Sequence, residues 1–468
     1  MRRLRMIAGL VLVAACSGST TSAVPSATPA SPAPSASATT PAPTVISTPV
    51  PSPATPSPTA GPPSTPTAGP TVAPAVPSPV PSPIASPPPT AVRTAVPTAA
   101  PVAPAGRAGG AACQAQDKFA LWSSGKAVLR GANVYMGADP ASPAGPGVFG
   151  DGPFTQADFD DLARAGANYV QISHAGLFRE RPPYDLDLAA QTNLDAVIRM
   201  AARAGLYAVI AFRTGPGRNE TAILRDGIVL ESIWTSELEQ SRWVAMLRYT
   251  AERYKDDPTV VGYDPMVEPN DYARRGDLDP RSFYAQYGGT LEDFNGLALR
   301  VTKAVREVDQ TTPILLEPDG FGGVPWLAYL KVTGDPRTVY TAHDYTPFDY
   351  THDRRPLASY PGQYDVYDDG KVALVDRAYL DGYLRAVRSY AQRNGVPVAI
   401  TEFGAHRTQP NVAAYLEDRI DLQDTIGNWA VWTWQPAGFA DPFSVHDPSP
   451  PNVVFRAAWA SNCVRPTK

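Results

Sequence analysis

The chain has 468 residues, with 40 Lys and Arg against 45 Asp and Glu, for a formal net charge of −5. The first 112 residues hold five Arg and no acid, so the rest carries 35 basic and 45 acidic side chains. That balance argues against nucleic acid or an anionic membrane surface as the main partner of the acidic part and suits a neutral ligand.

Residues 1–16 read MRRLRMIAGLVLVAAC. Arg2, Arg3 and Arg5 make a basic start, and the apolar run from Ile7 to Ala15 is too short to span a bilayer as a permanent helix. Its end, Val13-Ala14-Ala15-Cys16, resembles the lipobox of bacterial lipoproteins, in which the cysteine becomes the lipidated first residue. The resemblance implies a lipid anchor at Cys16 on the outer face of a bacterial cell membrane. An ordinary cleaved secretory signal is the alternative, and either way the chain is expected outside the cytoplasm.

Residues 17–106 contain 26 of the 52 prolines and a single charged residue, Arg93. Such a segment has too little apolar surface to offset its ordering entropy, and its prolines favour extended polyproline II. Residues 17–112 therefore read as a disordered surface tether, in which 17–106 alone reach at most roughly 280 Å at ~3.1 Å per residue. Its Thr/Pro density also permits O-glycosylation.

Residues 113–468 are expected to form one α/β domain. Apolar runs rich in β-branched and aromatic residues fall at Ala127–Met136, Asn168–His174, Tyr207–Thr214, Val260–Glu268, Thr312–Glu317, Val339–Tyr345, Pro397–Phe403 and Asn428–Trp434. Helical patterns separate them. Thr155-Gln156-Ala157-Asp158 opens one like a capping box, with Gly166 as its stop. Others start at Ser236 and run to about Tyr254, from Thr290 to Val308, and from Leu374 to Asn394. Eight strand-then-helix alternations without hairpin signals predict a closed (β/α)8 TIM barrel. No GxGxxG or GxxxxGK[ST] motif is present, so nucleotide chemistry has no support. Long connections at Gly137–Phe154, Gly215–Ile233, Asn270–Gly289 and Thr346–Lys371 would gather at the C-terminal face, where barrel sites lie.

Cys113 and Cys463 bracket this domain. In an oxidising compartment they are placed to pair, since barrel ends lie close together; two free thiols are the alternative. No Cys/His cluster has the spacing of a metal site.

Glu268 and Glu402 each close an apolar run. A carboxylate at the end of a buried strand is costly unless solvated, paired or used. One such glutamate reads as an ion-pair partner; two in an α/β pattern point to a paired-carboxylate site at one barrel end. Glu317, closing the fifth run, is a third strand-end acid, suited to substrate hydroxyls or to balancing Arg130 or Arg213.

The segments LRGANVY (129–135), GYDPMVEPN (262–270), HDY (343–345), ITEFG (400–404) and WTWQP (432–436) together resemble glycoside hydrolase family 5 and the wider clan A of barrel hydrolases. The resemblance runs over 127–436. It implies Glu268 as acid/base after strand four and Glu402 as nucleophile after strand seven, cleaving a β-linked glucan or mannan with retention and without cofactor or metal. It further implies Tyr345 as a hydroxyl partner of the nucleophile, His343 on the same wall, Trp434 as the platform under the sugar, and Asn133 and Arg130 as the first-strand RGxN pair. Residue-level alternatives stay open. His343 could be satisfied by a backbone carbonyl, Arg130 could cap the barrel, and Trp432 shares the strand face of Trp434 by period two.

Three positions depart from the family pattern. Val267 stands where an Asn usually precedes the acid/base, with Asn270 as a nearby amide. Gln171 replaces the usual strand-two Arg, and Arg213 opens RTGPG where relatives carry His. Val267 and Gln171 leave as one alternative a sugar-binding barrel whose catalysis has decayed; a transglycosylase using the same residues, with a sugar in place of water as acceptor, is the other. The expected partner is an oligo- or polysaccharide, and a monomer is expected.

Overall fold

The eight apolar runs fold as parallel strands that close on themselves in chain order. The computed structural model describes residues 112–113, 117–136, 154–219, 230–271, 276, 278–352, 359–366, 370–438 and 441–466. The leader and all but the last residue of the tether lie outside these, as do parts of all four long connections. The strands are β1 (Arg130–Met136), β2 (Tyr169–His174), β3 (Tyr207–Phe212), β4 (Val260–Asp264), β5 (Ile314–Leu316), β6 (Thr338–Asp344), β7 (Val398–Phe403) and β8 (Asn428–Val431). Each pairs with its sequence neighbours, and β8 returns to β1 with Trp429 beside Arg130, giving the expected (β/α)8 barrel. β2, β3, β6 and β7 are buried along their whole length, because the lumen covers one face and helices the other.

The outer layer contains α1 (Gln156–Ala165), α2 (Leu188–Arg203), α3 (Glu237–Tyr254), α4 (Pro280–Tyr287), α5 (Phe294–Arg306), the short α6 (Phe348–His352), α7 (Arg377–Asn394), α8 (Val412–Gln423) and α9 (Pro450–Trp459). Local chemistry sets their ends. The Asp158 carboxylate accepts from the Thr155 amide at 2.7 Å, and Gly166 ends α1 at φ 112°. Asp187, Ser236, Asp279, Asp293, Asp376 and Ser449 each accept a first-turn amide of the helix that follows.

Several expected boundaries are corrected. β4 ends at Asp264, so Glu268 lies beyond the strand on a turn. A 3-10 segment, Val324–Tyr329, joins β5 to β6 in place of an α-helix. Leu374 belongs to a two-stranded antiparallel pair with residues 362–364, and α7 starts at Arg377. A second pair joins Thr214–Gly215 to Arg218–Asn219, a hairpin built on the glycines of RTGPG.

The two ends of the lumen differ in polarity. At the end where the strands begin, Leu129, Val209, Val261, Leu315, Val339, Ala399 and Ala430 pack together under Leu121 and Trp122, whose indole donates to the Val261 carbonyl at 3.0 Å. There Cys113 and Cys463 are joined as a disulfide, 350 residues apart in sequence, with Cα atoms 4.8 Å apart. Toward the other end, buried polar groups replace them: Asn133, Gln171, Ser173, Asp264, Glu317, Thr341 and Thr401. Buried polar groups cost free energy unless partnered, and here they support charges at the C-terminal mouth.

Candidate active site

Alternation along each strand decides which side chains reach the mouth. On β6, Val339, Thr341 and His343 follow one another on the lumen side and lead to Tyr345 just past the strand's end; on β3, Val209 and Ala211 lead to Arg213. β7 needs a correction to that rhythm. Its register with β6 shifts between Ile400 and Glu402, a bulge that turns Glu402 inward while Phe403 packs outward against Trp429 and Phe455. Glu268 arrives by another route, on the turn after β4, with a φ of 52° that non-glycine residues rarely adopt. Its backbone is held on both sides. The amide donates to Glu317 Oε2 at 2.8 Å, and the carbonyl accepts from Arg218 at 2.8 Å and from Asn270 Nδ2 at 2.9 Å.

The two glutamates share one cleft. Glu268, His343 and Glu402 each contribute one polar atom to a group whose members lie within 4.8 Å of one another. His343 Nδ1 sits 2.9 Å from Glu268 Oε1 and 3.5 Å from Glu402 Oε2, while its Nε2 lies 3.0 Å from Glu317 Oε1. Arg213 Nη2 pairs with Glu402 Oε1, and its Nη1 stands 3.8 Å from Glu268 Oε2. Its Nε donates to Ser173 Oγ at 2.5 Å, and the guanidinium lies 4.7 Å from the centre of the Trp432 ring. Tyr345 donates its hydroxyl to Glu402 Oε2 at 3.0 Å.

Charge follows from this packing. Burial pushes the Glu402 carboxyl up, to about 7, against the downward pull of Arg213 and His343 and with a further upward push from Glu268 and Glu317. Burial alone would leave His343 neutral, but the charges of Glu317 and Glu402 and its hydrogen bonds to Glu268 and Glu317 hold it protonated well above the usual histidine range. Tyr345 is raised by burial and by the neighbouring carboxylates, so it remains a neutral donor. Glu268, His343 and Glu402 are also the one trio among the described residues spaced to hold a metal ion. Arg213 and the charge on His343 already balance its two carboxylates, and a protonated imidazole has no lone pair to offer a metal, so the chemistry of the trio disfavours one.

Other expected site residues fall elsewhere. Arg130, three positions from Asn133 and so on the other strand face, points outward to pair with Asp424 at 2.8 Å and to donate to Asn462 at 3.1 Å. Asn133 is fully buried, and its amide ties β7 and β8 by donating to the carbonyls of Thr401 at 2.9 Å and Val431 at 3.3 Å. Trp434 and Trp432 do not share a face. β8 ends at Val431, after which Trp434 turns outward to stack on His446 at 4.0 Å and donate to the Asp158 carbonyl. Trp432 stays half-buried at the mouth beside Tyr135. Glu317 is completely buried beneath Glu268, not free in the cleft. Val267 is buried as well, its amide donating to the Phe212 carbonyl at 2.9 Å.

Sequence reasoning did not single out Arg218, Ser173, Tyr135 or Asp264. Asp264 carries a signal, as a charged residue inside a run otherwise read as buried, whereas Arg218 lies in the long connection after β3, where an arginine is unremarkable.

The pattern that defines the cellulase family (glycosyl hydrolase family 5) matches residues 136–438, well over half of the chain. Among characterised proteins the chain is similar to a β-xylosidase of Phanerodontia chrysosporium, 24% identical over 65% of this chain and 61% of that protein. It is also similar to an endoglucanase of Paenibacillus polymyxa, 27% identical over 50% of this chain and 51% of that one. The chain thus spans about half to three fifths of these two relatives' length. The crystal structure of endoglucanase Cel5A from Thermotoga maritima superposes with a TM-score of 0.54 at 21% identity, covering 73% of this chain and 99% of that one, which supports the barrel fold. With these likenesses and the family pattern running from β1 to just past β8, the chain belongs to glycosyl hydrolase family 5.

Proposed function

We propose that the folded part is a retaining glycoside hydrolase that cleaves β-glycosidic bonds of a glucan- or mannan-type glycan. One observation carries the reading: Glu268 and Glu402 place carboxylate oxygens within 4.8 Å of each other around a shared histidine. Retaining enzymes need their two carboxyl groups about 5–5.5 Å apart, so that one attacks the sugar while the other protonates the departing oxygen. Inverting enzymes need room for a water, about 6.5–9.5 Å.

In this reading Glu402 attacks the anomeric carbon as the glycosidic bond breaks, and Glu268 gives its proton to the leaving oxygen. A covalent glycosyl-enzyme forms. Glu268, now ionised, then takes a proton from a water molecule whose oxygen attacks the same carbon and releases Glu402. Arg213 and Tyr345 favour the charged, attacking form of Glu402, and Trp432 offers an apolar face to a pyranose ring. For the glycan, relatives include endoglucanases and a protein named probable glucan 1,3-beta-glucosidase A, and the Thermotoga Cel5A structures include complexes with cellobiose and with mannotriose.

The test is reducing-sugar release across polysaccharides and aryl glycosides, with Glu402→Ala as the blank. The wild type should hydrolyse at least one β-linked substrate with retained configuration. Azide should return activity to Glu402→Ala with an inverted product. Wild-type turnover that survives in Glu402→Ala without azide would overturn the nucleophile assignment.

We further propose that the protein works outside the cytoplasm, lipid-anchored at Cys16 on the outer face of a bacterial membrane, with residues 17–112 as the tether. Cys16→Ser should then move the protein from the membrane fraction to the soluble one; unchanged membrane association would contradict the anchor.

A further inference from the structure

Glu317 is a fully buried carboxylate with two separate duties. Oε2 accepts the amide of Glu268, whose backbone stands in the left-handed region at φ 52°. Oε1 lies 3.0 Å from Nε2 of His343, and the opposite ring nitrogen meets Glu268 Oε1 at 2.9 Å. One carboxylate therefore holds the main chain of Glu268 by a hydrogen bond and, at ion-pair distance from the imidazole, faces the group that meets its side chain.

The loop after β5 is shaped around this contact. Gly322 has φ 66°, and a Cβ there would lie 2.7 Å from Glu317 Oε2 and 3.2 Å from His343 Cγ. Its carbonyl accepts the His343 amide at 2.8 Å, and the neighbouring Phe321 amide donates to the Pro269 carbonyl at 3.3 Å. The loop thus closes over Glu317 and ties β6 to the turn that carries Glu268.

Below lies a second acid. Asp264 on β4 is fully buried, accepts from Gln171 Nε2 at 3.4 Å and interacts side chain to side chain with Glu317. Burial and the Glu317 charge raise its pKa well above the ordinary range, so it stands as a neutral acid able to donate. The charged and titratable groups facing Glu317 and His343 are Asp264 on β4 and Glu268 on the turn after it, Arg213 just past β3, Tyr345 just past β6 and Glu402 on β7. Two carboxylates meet His343 from opposite sides, Glu268 by a hydrogen bond at Nδ1 and Glu317 at ion-pair distance from Nε2, so a doubly protonated, charged ring complements both, whereas a neutral ring carries a proton toward one alone.

Resting on the glycosidase reading, we infer that Glu317 is a positioning residue for cleavage: it fixes the Glu268 turn and keeps His343 doubly protonated between Glu317 and Glu268. A hydrogen-bonded support behind a reacting group sets that group's orientation and charge. Loss of such a support costs on the order of 10–100-fold in activity at metal sites, and we take the same range here.

The experiment uses the full chain with nitrogen-15-labelled histidine, of which there are five. In the wild type, both ring nitrogens of His343, assigned by its loss in His343→Gln, should carry protons at neutral pH. In Glu317→Gln, His343 should titrate at least one pH unit lower. Turnover of substrates with sugar leaving groups should fall about 10–100-fold, mostly in kcat. Gly322→Ala, which leaves every charge in place but crowds Glu317, should shift His343 in the same direction, and it serves if Glu317→Gln does not fold. A neutral His343 in the wild type, or an unchanged His343 titration in a folded variant, overturns the inference. Because the ring signals need no substrate, a wild type inactive on every glycan would count against the glycosidase reading alone.

Discussion

Arg213, at the end of β3, pairs with Glu402, at the end of β7, across the mouth of the barrel. An arginine from the third strand thus charges the carboxylate where the sequence leads one to miss an arginine on the second, at Gln171. Ser173, two residues beyond Gln171 on β2, holds the Arg213 Nε at 2.5 Å, so the second strand still orients the cation.

This pairing sets the acid limb of activity. Burial lifts the Glu402 carboxyl to about 7, and only its ionised form attacks. Thus kcat/KM should rise as pH climbs through about 7 in the free enzyme. Arg213→Ala removes the main charge that lowers that value, so the limb should move up by about 1–3 pH units. Arg213→Lys should recover only part of the loss, because an ammonium cannot bond Glu402 and Ser173 with one planar fork. Initial rates between pH 5 and pH 9 (roughly the range these shifts span) check both statements.

Glu268 should betray its role through the leaving group. Glu268→Ala should lose about 10²–10⁴-fold on substrates with a sugar leaving group, which needs protonation. On a dinitrophenyl glycoside, whose phenolate departs unaided, the first step should hardly slow, and a burst of dinitrophenolate should precede slow deglycosylation. Equal losses on both substrates would place the acid elsewhere.

The two tryptophans should separate cleanly. Trp432→Ala removes an apolar face beside Arg213 and should raise KM with the fold intact. Trp434 is completely buried against His446 and Trp459, so Trp434→Ala should cost about 3–5 kcal/mol of stability. Denaturant unfolding set beside Michaelis constants distinguishes the two outcomes.

The Cys113–Cys463 bond closes a loop of 350 residues at the end of the barrel away from the glutamates. Its removal in Cys113→Ser/Cys463→Ser should lower unfolding free energy by about 2–5 kcal/mol while kcat holds below the melting range. A parallel fall in kcat under native conditions would show that the bond also shapes the mouth.

Much of this protein is legible in its sequence, for a physical reason. A strand covered on both faces must be apolar nearly throughout, so eight such runs declare a parallel barrel, and a glutamate ending one declares where polarity resumes. Helix starts were equally plain, because Thr155, Ser236 and their neighbours form local hydrogen bonds that need no tertiary partner. Other features depend on contacts that no local pattern encodes. The bulge that turns Glu402 inward exists only in the register of β7 against β6, and the left-handed turn at Glu268 is held by Glu317 and Arg218 from distant segments. Where β8 stops decides that Trp432 lines the mouth and Trp434 the core. Strand parity alone would have sent Arg130 to the outside, since it stands three residues from Asn133. The chain determines by itself which residues are buried and which carry charge, because burial is a property of each segment's composition. Closure of the barrel decides which charges meet, because Arg213, Glu268, Glu317, His343 and Glu402 come from five different strand ends and become neighbours only when the sheet returns on itself.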